Sequence, residues 1–193
     1  MHPDDNIEML MARYQQGDSS AAAVLVHRVS PQLHRFFAAQ SFSRADAEDL
    51  LQETWLRIHR VRHTYRPGEP ALPWFYAIAR HIRVDHYRKS IRTVARDQSL
   101  EAESIPASPG LYPSVDPSAD PSVQADGFAA LLAPLSPAER ETVVMLKVTG
   151  MSLEEVARAT SSTVGSVKQK AHRAYKKLRT ILSATHRQRG GQS

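Results

Sequence analysis

Between residues 98 and 136 the chain carries no lysine or arginine, five acidic residues, and prolines at Pro106, Pro109, Pro113, Pro117 and Pro121. Prolines this close together, set among Ser, Asp and Ala, leave neither a helical nor a strand period. The stretch therefore reads as a flexible, extended acidic linker over 98–126, with a short helix beginning near residue 127. It separates two helical bodies of opposite charge to itself. Residues 1–97 carry a net +3, residues 98–136 a net −5, and residues 137–193 a net +7. Two cationic bodies joined by an anionic strap suit a polyanion partner held at both ends.

The second body announces its own helices. Ser136, Pro137 and Glu139 supply an N-cap, a first-turn proline and a capping-box acid. Val143, Val144, Met145 and Leu146 give that helix apolar surface, and Gly150 closes it. Ser152 with Glu155 forms a second capping box, predicting a short helix over 153–159. Thr160, Ser161 and Ser162 make a polar break before a longer helix over 163–182. At 100° per residue, Val167, Ala171, Ala174, Leu178 and Ile181 share one stripe of it. Gly165, Gln169, His172, Arg173 and Lys176 fall roughly opposite, with Lys168 at their flank. A packed inner face and a cationic, hydrogen-bonding outer face describe a helix-turn-helix with its recognition helix. Beyond Ser183 the tail, 184–193, is polar and reads as disordered.

The first body is helical as well. Ile7, Leu10, Met11 and Tyr14 share helical spacing, with Gly17 as a stop. Residues 20–40 continue as helix, with Pro31 best placed at the start of a new segment. Ser43 and Asp46 resemble a capping box for a helix over 44–60. Its inner stripe is Ala47, Leu50, Leu51, Thr54, Trp55 and Ile58; its outer stripe is Asp49, Glu53, Leu56 and Arg60, with Gln52 at the edge. That outer stripe fits a solvated amphipathic face, or a docking face whose apolar anchor, Leu56, sits among charges. Periodicity alone does not choose between them.

Residues 61–70 read as a loop, followed by a long helix with Pro73 in its first turn. Ala71, Trp74, Phe75, Ile78 and Ile82 form its buried stripe, with Asp85 on the same side. Tyr76, Arg80, Arg83 and Tyr87 line the other side, and Arg88, Lys89, Arg92 and Arg96 extend the charge. Arginines interleaved with exposed tyrosines suit single-stranded nucleic acid, guanidinium meeting phosphate while rings stack on unpaired bases. A plain surface helix with snorkelling arginines fits the same pattern.

Other function classes find less support. There is no cysteine, hence no disulfide and no thiolate metal site. Hydrophobic residues make up 41% of the chain, enough for a core, yet no apolar run is long enough to span a bilayer. Residues 1–8 are polar and acidic, unlike a signal peptide. His59 and His63 have the i,i+4 spacing of a metal pair, but no further ligands gather near them, so no metal or other cofactor is expected. No phosphate-cradling glycine loop, zincin helix or nucleophile elbow occurs, so no catalytic residue and no small-molecule substrate is assigned. A self-sufficient helix-turn-helix regulator would bind duplex DNA alone and have no use for the Asp49 face.

Two pairs of motifs carry a resemblance. The run DAEDLLQETW (46–55) followed by PWFYAIARHIRVDHYR (73–88) resembles conserved region 2 of bacterial RNA polymerase sigma factors. LSPAER (135–140) and GSVKQKAHRA (165–174) resemble region 4. With only these two regions, the chain is similar to the extracytoplasmic-function, or group 4, subfamily of the sigma-70 family. The resemblance implies an all-α fold of two small domains: the region 2 helical bundle over 1–97 and the region 4 helix-turn-helix over 127–183.

It also implies roles. Asp49, Gln52, Glu53, Leu56 and Arg60 would dock on the clamp helices of the largest subunit of core RNA polymerase. Tyr76, Arg80, His81, Arg83, Tyr87, Arg88 and Lys89 would hold the single-stranded non-template strand of the minus-ten element, with a loop over 81–85 beside a pocket for an extruded base. Gly165, Lys168, Gln169, His172, Arg173 and Lys176 would read the minus-35 duplex from the major groove. The acidic linker would occupy the RNA exit path. The polymerase would do the chemistry, this non-catalytic subunit supplying promoter choice and strand opening from the cytoplasm, under control of an anti-sigma factor that in this family is often membrane-bound. His81 stands where the family commonly has Asn. Gln169 and Lys170 replace its Ser-Arg pair, so neither promoter sequence transfers, and Ser161 and Ser162 replace its usual Gly-apolar turn, which weakens the turn and its packing.

Overall fold

The computed structural model describes residues 6–40, 44–98 and 130–190. Its described elements are helical. The first domain holds α1 (Ile7–Gln15), α2 (Ser19–Ala38), α3 (Arg44–Val61) and α4 (Ala71–Gln98). The second holds α5 (Pro137–Val143), α6 (Leu153–Ala159) and α7 (Val164–Gly190). Residues 130–132 are helical; the proline-bearing stretch and the Ser43 cap fall outside the described residues.

Local chemistry fixes most of the ends. The Asn6 side chain accepts from the Met9 N–H at 2.8 Å to start α1. Gly17 follows it with φ +92, a left-handed turn that glycine adopts without a Cβ clash. Asp18 then caps α2, accepting from the N–H groups of Ser20 (2.9 Å) and Ala21 (3.1 Å) and from Arg13 (2.7 Å). Hydrogen bonds from Ser20, Ala21 and Arg13, in that order, hold its carboxyl well below the usual carboxylate range. Both capping boxes in the second domain form, at Ser136 with Glu139 and at Ser152 with Glu155.

The first-domain core lies where α2, α3 and α4 meet. Leu25, Val29, Leu33, Phe36 and Phe37 of α2 are fully buried, with Ala47, Thr54 and Ile58 of α3 and Phe75 of α4. The Thr54 hydroxyl avoids an orphan donor by bonding the Leu50 carbonyl at 2.7 Å. Aromatic rings crowd the core: Trp55 of α3 meets Phe75 of α4 at 5.8 Å, Trp74 flanks Phe75 within α4 at 5.5 Å, and Phe36 meets Phe37 within α2 at 5.4 Å. Each buried phenylalanine contributes about 1.5–3 kcal/mol through burial alone. Glu8 of α1 accepts from the Ala71 N–H at 3.1 Å, placing a carboxylate on the positive end of α4.

Three expectations change here. Helix α2 runs unbroken through Pro31, because the apolar residues on both sides of it, Val29 and Leu33, are anchored in one core. The 61–70 segment is not a plain loop: Arg62–Thr64 forms a 3-10 turn and Tyr65 is buried, with the Gln15 amide bonding the carbonyls of Arg62 and Tyr65 at 2.7 Å each. Helix α7 continues to Gly190, past the expected end at Leu182 and into the tail read as disordered, since no proline or glycine interrupts the intervening sequence.

The two domains share one buried cluster, with α4 packed on α6 and the end of α5 against α2. After Val143 the α5 helix widens into a π-turn over Val144–Val148, whose Thr149 N–H bonds Val144.

Candidate functional site

The outer stripe of α3 is fully presented. Asp49, Gln52, Glu53, Leu56 and Arg60 are all exposed, while Ala47, Leu50, Thr54 and Ile58 beneath them are buried. Leu56 keeps 55% of its surface open, a large apolar side chain among charges. On the same helix, His59 Nδ1 and the Tyr14 hydroxyl share a hydrogen bond at 2.8 Å.

Helix α7 repeats the pattern in cationic form. Thr163 caps it, accepting from the Ser166 N–H at 3.1 Å. Val167, Ala171 and Ala174 face the core, and Gly165, Lys168, Gln169, His172, Arg173 and Lys176 face outward. Arg173 reaches Gln169 at only 3.5 Å, so both heads remain available to a groove. Lys177, one position on, is committed elsewhere: it bonds Glu139 at 2.7 Å and ties α7 to the start of α5. The turn before α7 is held by hydroxyls. Ser161 adopts φ +50, the Thr160 hydroxyl bonds the Val156 carbonyl at 2.7 Å, and Thr160 and Ser162 share a hydrogen at 2.8 Å.

Helix α4 departs from expectation. Residues 81–85 are continuous helix rather than a loop, because Ile82 packs into the core and no proline or glycine interrupts the segment. His81 is exposed, its Nδ1 2.6 Å from the Ala77 carbonyl. Asp85 is exposed and 3.9 Å from Arg88, a surface pair worth little. Tyr87 is half-buried; Arg88 and Lys89 are exposed.

Tyr76, expected on the open face, is 0% exposed. Its ring meets Phe36 edge-on at 5.3 Å, and Thr149 of the second domain approaches its hydroxyl without hydrogen-bond geometry. Burial pushes its phenol well above the ordinary tyrosine range, an effect that Thr149 and Arg35 oppose only in part. Arg80 and Arg83 are no freer. Arg80 Nε donates to Glu141 Oε2 at 3.1 Å, and Arg83 Nη2 donates to Oε1 at 3.0 Å. Sequence reasoning missed Glu141 entirely, since an acid in the first turns of a helix reads as ordinary dipole complementation. It also missed the Glu69–Arg158 pair, 3.6 Å apart across the same junction.

Known proteins share both the sequence and this architecture. Residues 25–93 match the Sigma-70 region 2 family and residues 126–178 the Sigma-70 region 4 family. The chain is 36% identical over 172 residues to the RNA polymerase sigma factor CarQ of Myxococcus xanthus, covering 89% of this chain and 95% of that one. It is 30% identical over 182 residues to the ECF RNA polymerase sigma factor SigF of Caulobacter vibrioides, covering 91% and 93%. Among solved structures, the sigma factor RpoE in complex with the anti-sigma factor NepR, from Bartonella quintana, matches with a TM-score of 0.65 at 25% identity, covering 82% of this chain and 94% of that one. The chain belongs to the extracytoplasmic-function subfamily of the sigma-70 family of RNA polymerase sigma factors.

Proposed function

We propose that this sigma factor mounts on core RNA polymerase through the α3 face of Asp49, Gln52, Glu53, Leu56 and Arg60. Helix α7 then enters the major groove at the minus-35 element with Gly165, Lys168, Gln169, His172, Arg173 and Lys176. The α4 residues Tyr76, Arg80, His81, Arg83, Tyr87, Arg88 and Lys89 take the minus-ten non-template strand. The observation that carries this reading is the paired exposure of the two outer stripes, acidic-apolar on α3 and cationic on α7, each over a buried inner stripe. An apolar anchor ringed by charge suits a protein partner, and cations over a packed helix suit a groove.

The subunit does no bond chemistry of its own. Unstacking a base costs a few kcal/mol, offset by stacking and cationic contacts to the freed strand. Binding and melting are thereby one event. The complex of RpoE with the anti-sigma factor NepR supports control of this chain by a protein inhibitor of the same kind. No helix among the described residues is long and apolar enough to cross a membrane.

Run-off transcription with core polymerase, paired with pull-down, tests the reading. Asp49→Lys with Glu53→Lys should abolish co-purification and run-off product while duplex binding by the chain persists. Unchanged co-purification removes α3 as the docking face.

A further inference from the structure

The inner stripe of α7 is smooth where its outer stripe reads. Along the half of the helix that presents Gly165 to Lys176 outward, the buried side chains are Val167, Ala171 and Ala174, at most 6% exposed and none larger than valine. Small side chains let helices approach closely but give a neighbouring groove no large knob to catch, so they fix rotation about the helix axis weakly. Rotation matters to a reading helix. With side-chain tips about 6 Å from the axis, a turn of about 10° moves them by about 1 Å, more than the roughly 0.5 Å within which a directional contact must be held.

Two contacts restrain that rotation from opposite sides. At 100° per residue, Lys177 and Tyr175 lie about 80° to either side of the buried stripe. Lys177 Nζ bonds Glu139 Oε2 at 2.7 Å, and Lys147 Nζ stands 5.9 Å from the centroid of the Tyr175 ring. Both partners come from one segment, Glu139 from the first turn of α5 and Lys147 from the π-turn that ends it. Glu139 is itself held in place: the same oxygen accepts from the Ser136 N–H at 2.9 Å, and its side chain is only 7% exposed. Burial raises its carboxyl, yet the bonds from Lys177 and Ser136 outweigh that and keep it below the ordinary glutamate range. A largely buried ion pair is weak evidence of stability; fixing one register is its best-attested use.

We propose that Glu139 and Lys147 are positioning residues for duplex reading: through Lys177 and Tyr175 they set the rotation of α7, and with it which base edges meet Gln169, without touching DNA themselves. The inference rests on the assignment of α7 to the minus-35 duplex. General affinity for duplex comes mainly from charge, which tolerates a small rotation, whereas hydrogen bonds to base edges do not. The clip therefore acts on discrimination between sequences and leaves general binding in place.

Duplexes enriched from a random pool by the full chain supply a preferred sequence, and a scrambled copy supplies its control. Both are titrated by fluorescence anisotropy, and the ratio of the two affinities is the readout. A variant that only lowers the folded fraction weakens both duplexes alike and leaves that ratio unmoved. Glu139→Gln keeps the capping box, which accepts glutamine, and removes the charge. It and Lys177→Met should each lower the ratio by about threefold or more, with scrambled duplex bound within about twofold of the parent. Their combination should lose no more than either alone, because one contact is then removed twice. Lys147→Ala should lower the ratio by about twofold and add to the loss from Glu139→Gln, while Lys147→Arg, which keeps a cation over the ring, should preserve it. A ratio unchanged in Glu139→Gln and Lys177→Met, or in Lys147→Ala, overturns the proposal, as does a proportional loss on both duplexes. If the losses from Glu139→Gln and Lys177→Met add, the two residues act separately and the proposal falls. If the pool yields no preferred sequence, or if Gln169→Ala and Arg173→Ala leave both affinities unchanged, the assignment of α7 to the duplex has failed instead, and the clip falls with it.

Discussion

Leu56→Ala separates docking from folding on a single residue. Leu56 is 55% exposed, so rather more than half of its surface remains to be buried by a partner. Full burial of a leucine side chain is worth about 1.5–3 kcal/mol, which leaves roughly 1–1.5 kcal/mol for the partner to gain here. Truncation to alanine should therefore weaken association with core polymerase by about five- to twelvefold. Folding should hardly notice, because exposed substitutions away from caps and cores usually stay within about 0.5 kcal/mol. The assay is equilibrium binding of labelled sigma factor to core polymerase, with thermal melting of the free variant alongside. Unaltered association would refute the argument, since an apolar anchor at the centre of a protein contact cannot be removed without cost. A loss of binding matched by an equal loss of stability would refute it too, by showing that Leu56 serves the fold.

Two further outcomes follow from the second domain. Arg173→Ala should weaken binding to minus-35 duplex across sequences and lower the magnitude of its log–log salt slope by about one, measured by titration at several salt concentrations. Ser161→Gly should raise the melting temperature: a non-glycine residue at positive φ costs about 1–2 kcal/mol, and glycine's unfolded-state entropy returns about 0.5–1 of it, leaving roughly 0.5–1 kcal/mol net. A lower melting temperature would mean that the Ser161 side chain stabilises the turn in a way the backbone angle does not reveal.

What the sequence made legible was local or periodic. The capping boxes at Ser136 and Ser152 fall where the residues alone put them, because an N-cap and its third-position acid act within one turn. The stripes of α3 and α7 were readable for the same reason: one buried side imposes the helical period on each. Tyr76 was misplaced because α4 is covered twice, by Phe36 of α2 on one side and by the second domain on another, which widens its buried arc beyond a single stripe. Glu141 was invisible because its partners lie across a junction between separately encoded domains, and nothing near it in the chain mentions them. The serine turn at 160–162 looked weak by composition. Hydroxyl bonds to the Val156 carbonyl and between Thr160 and Ser162 supply what a glycine would have supplied by conformation.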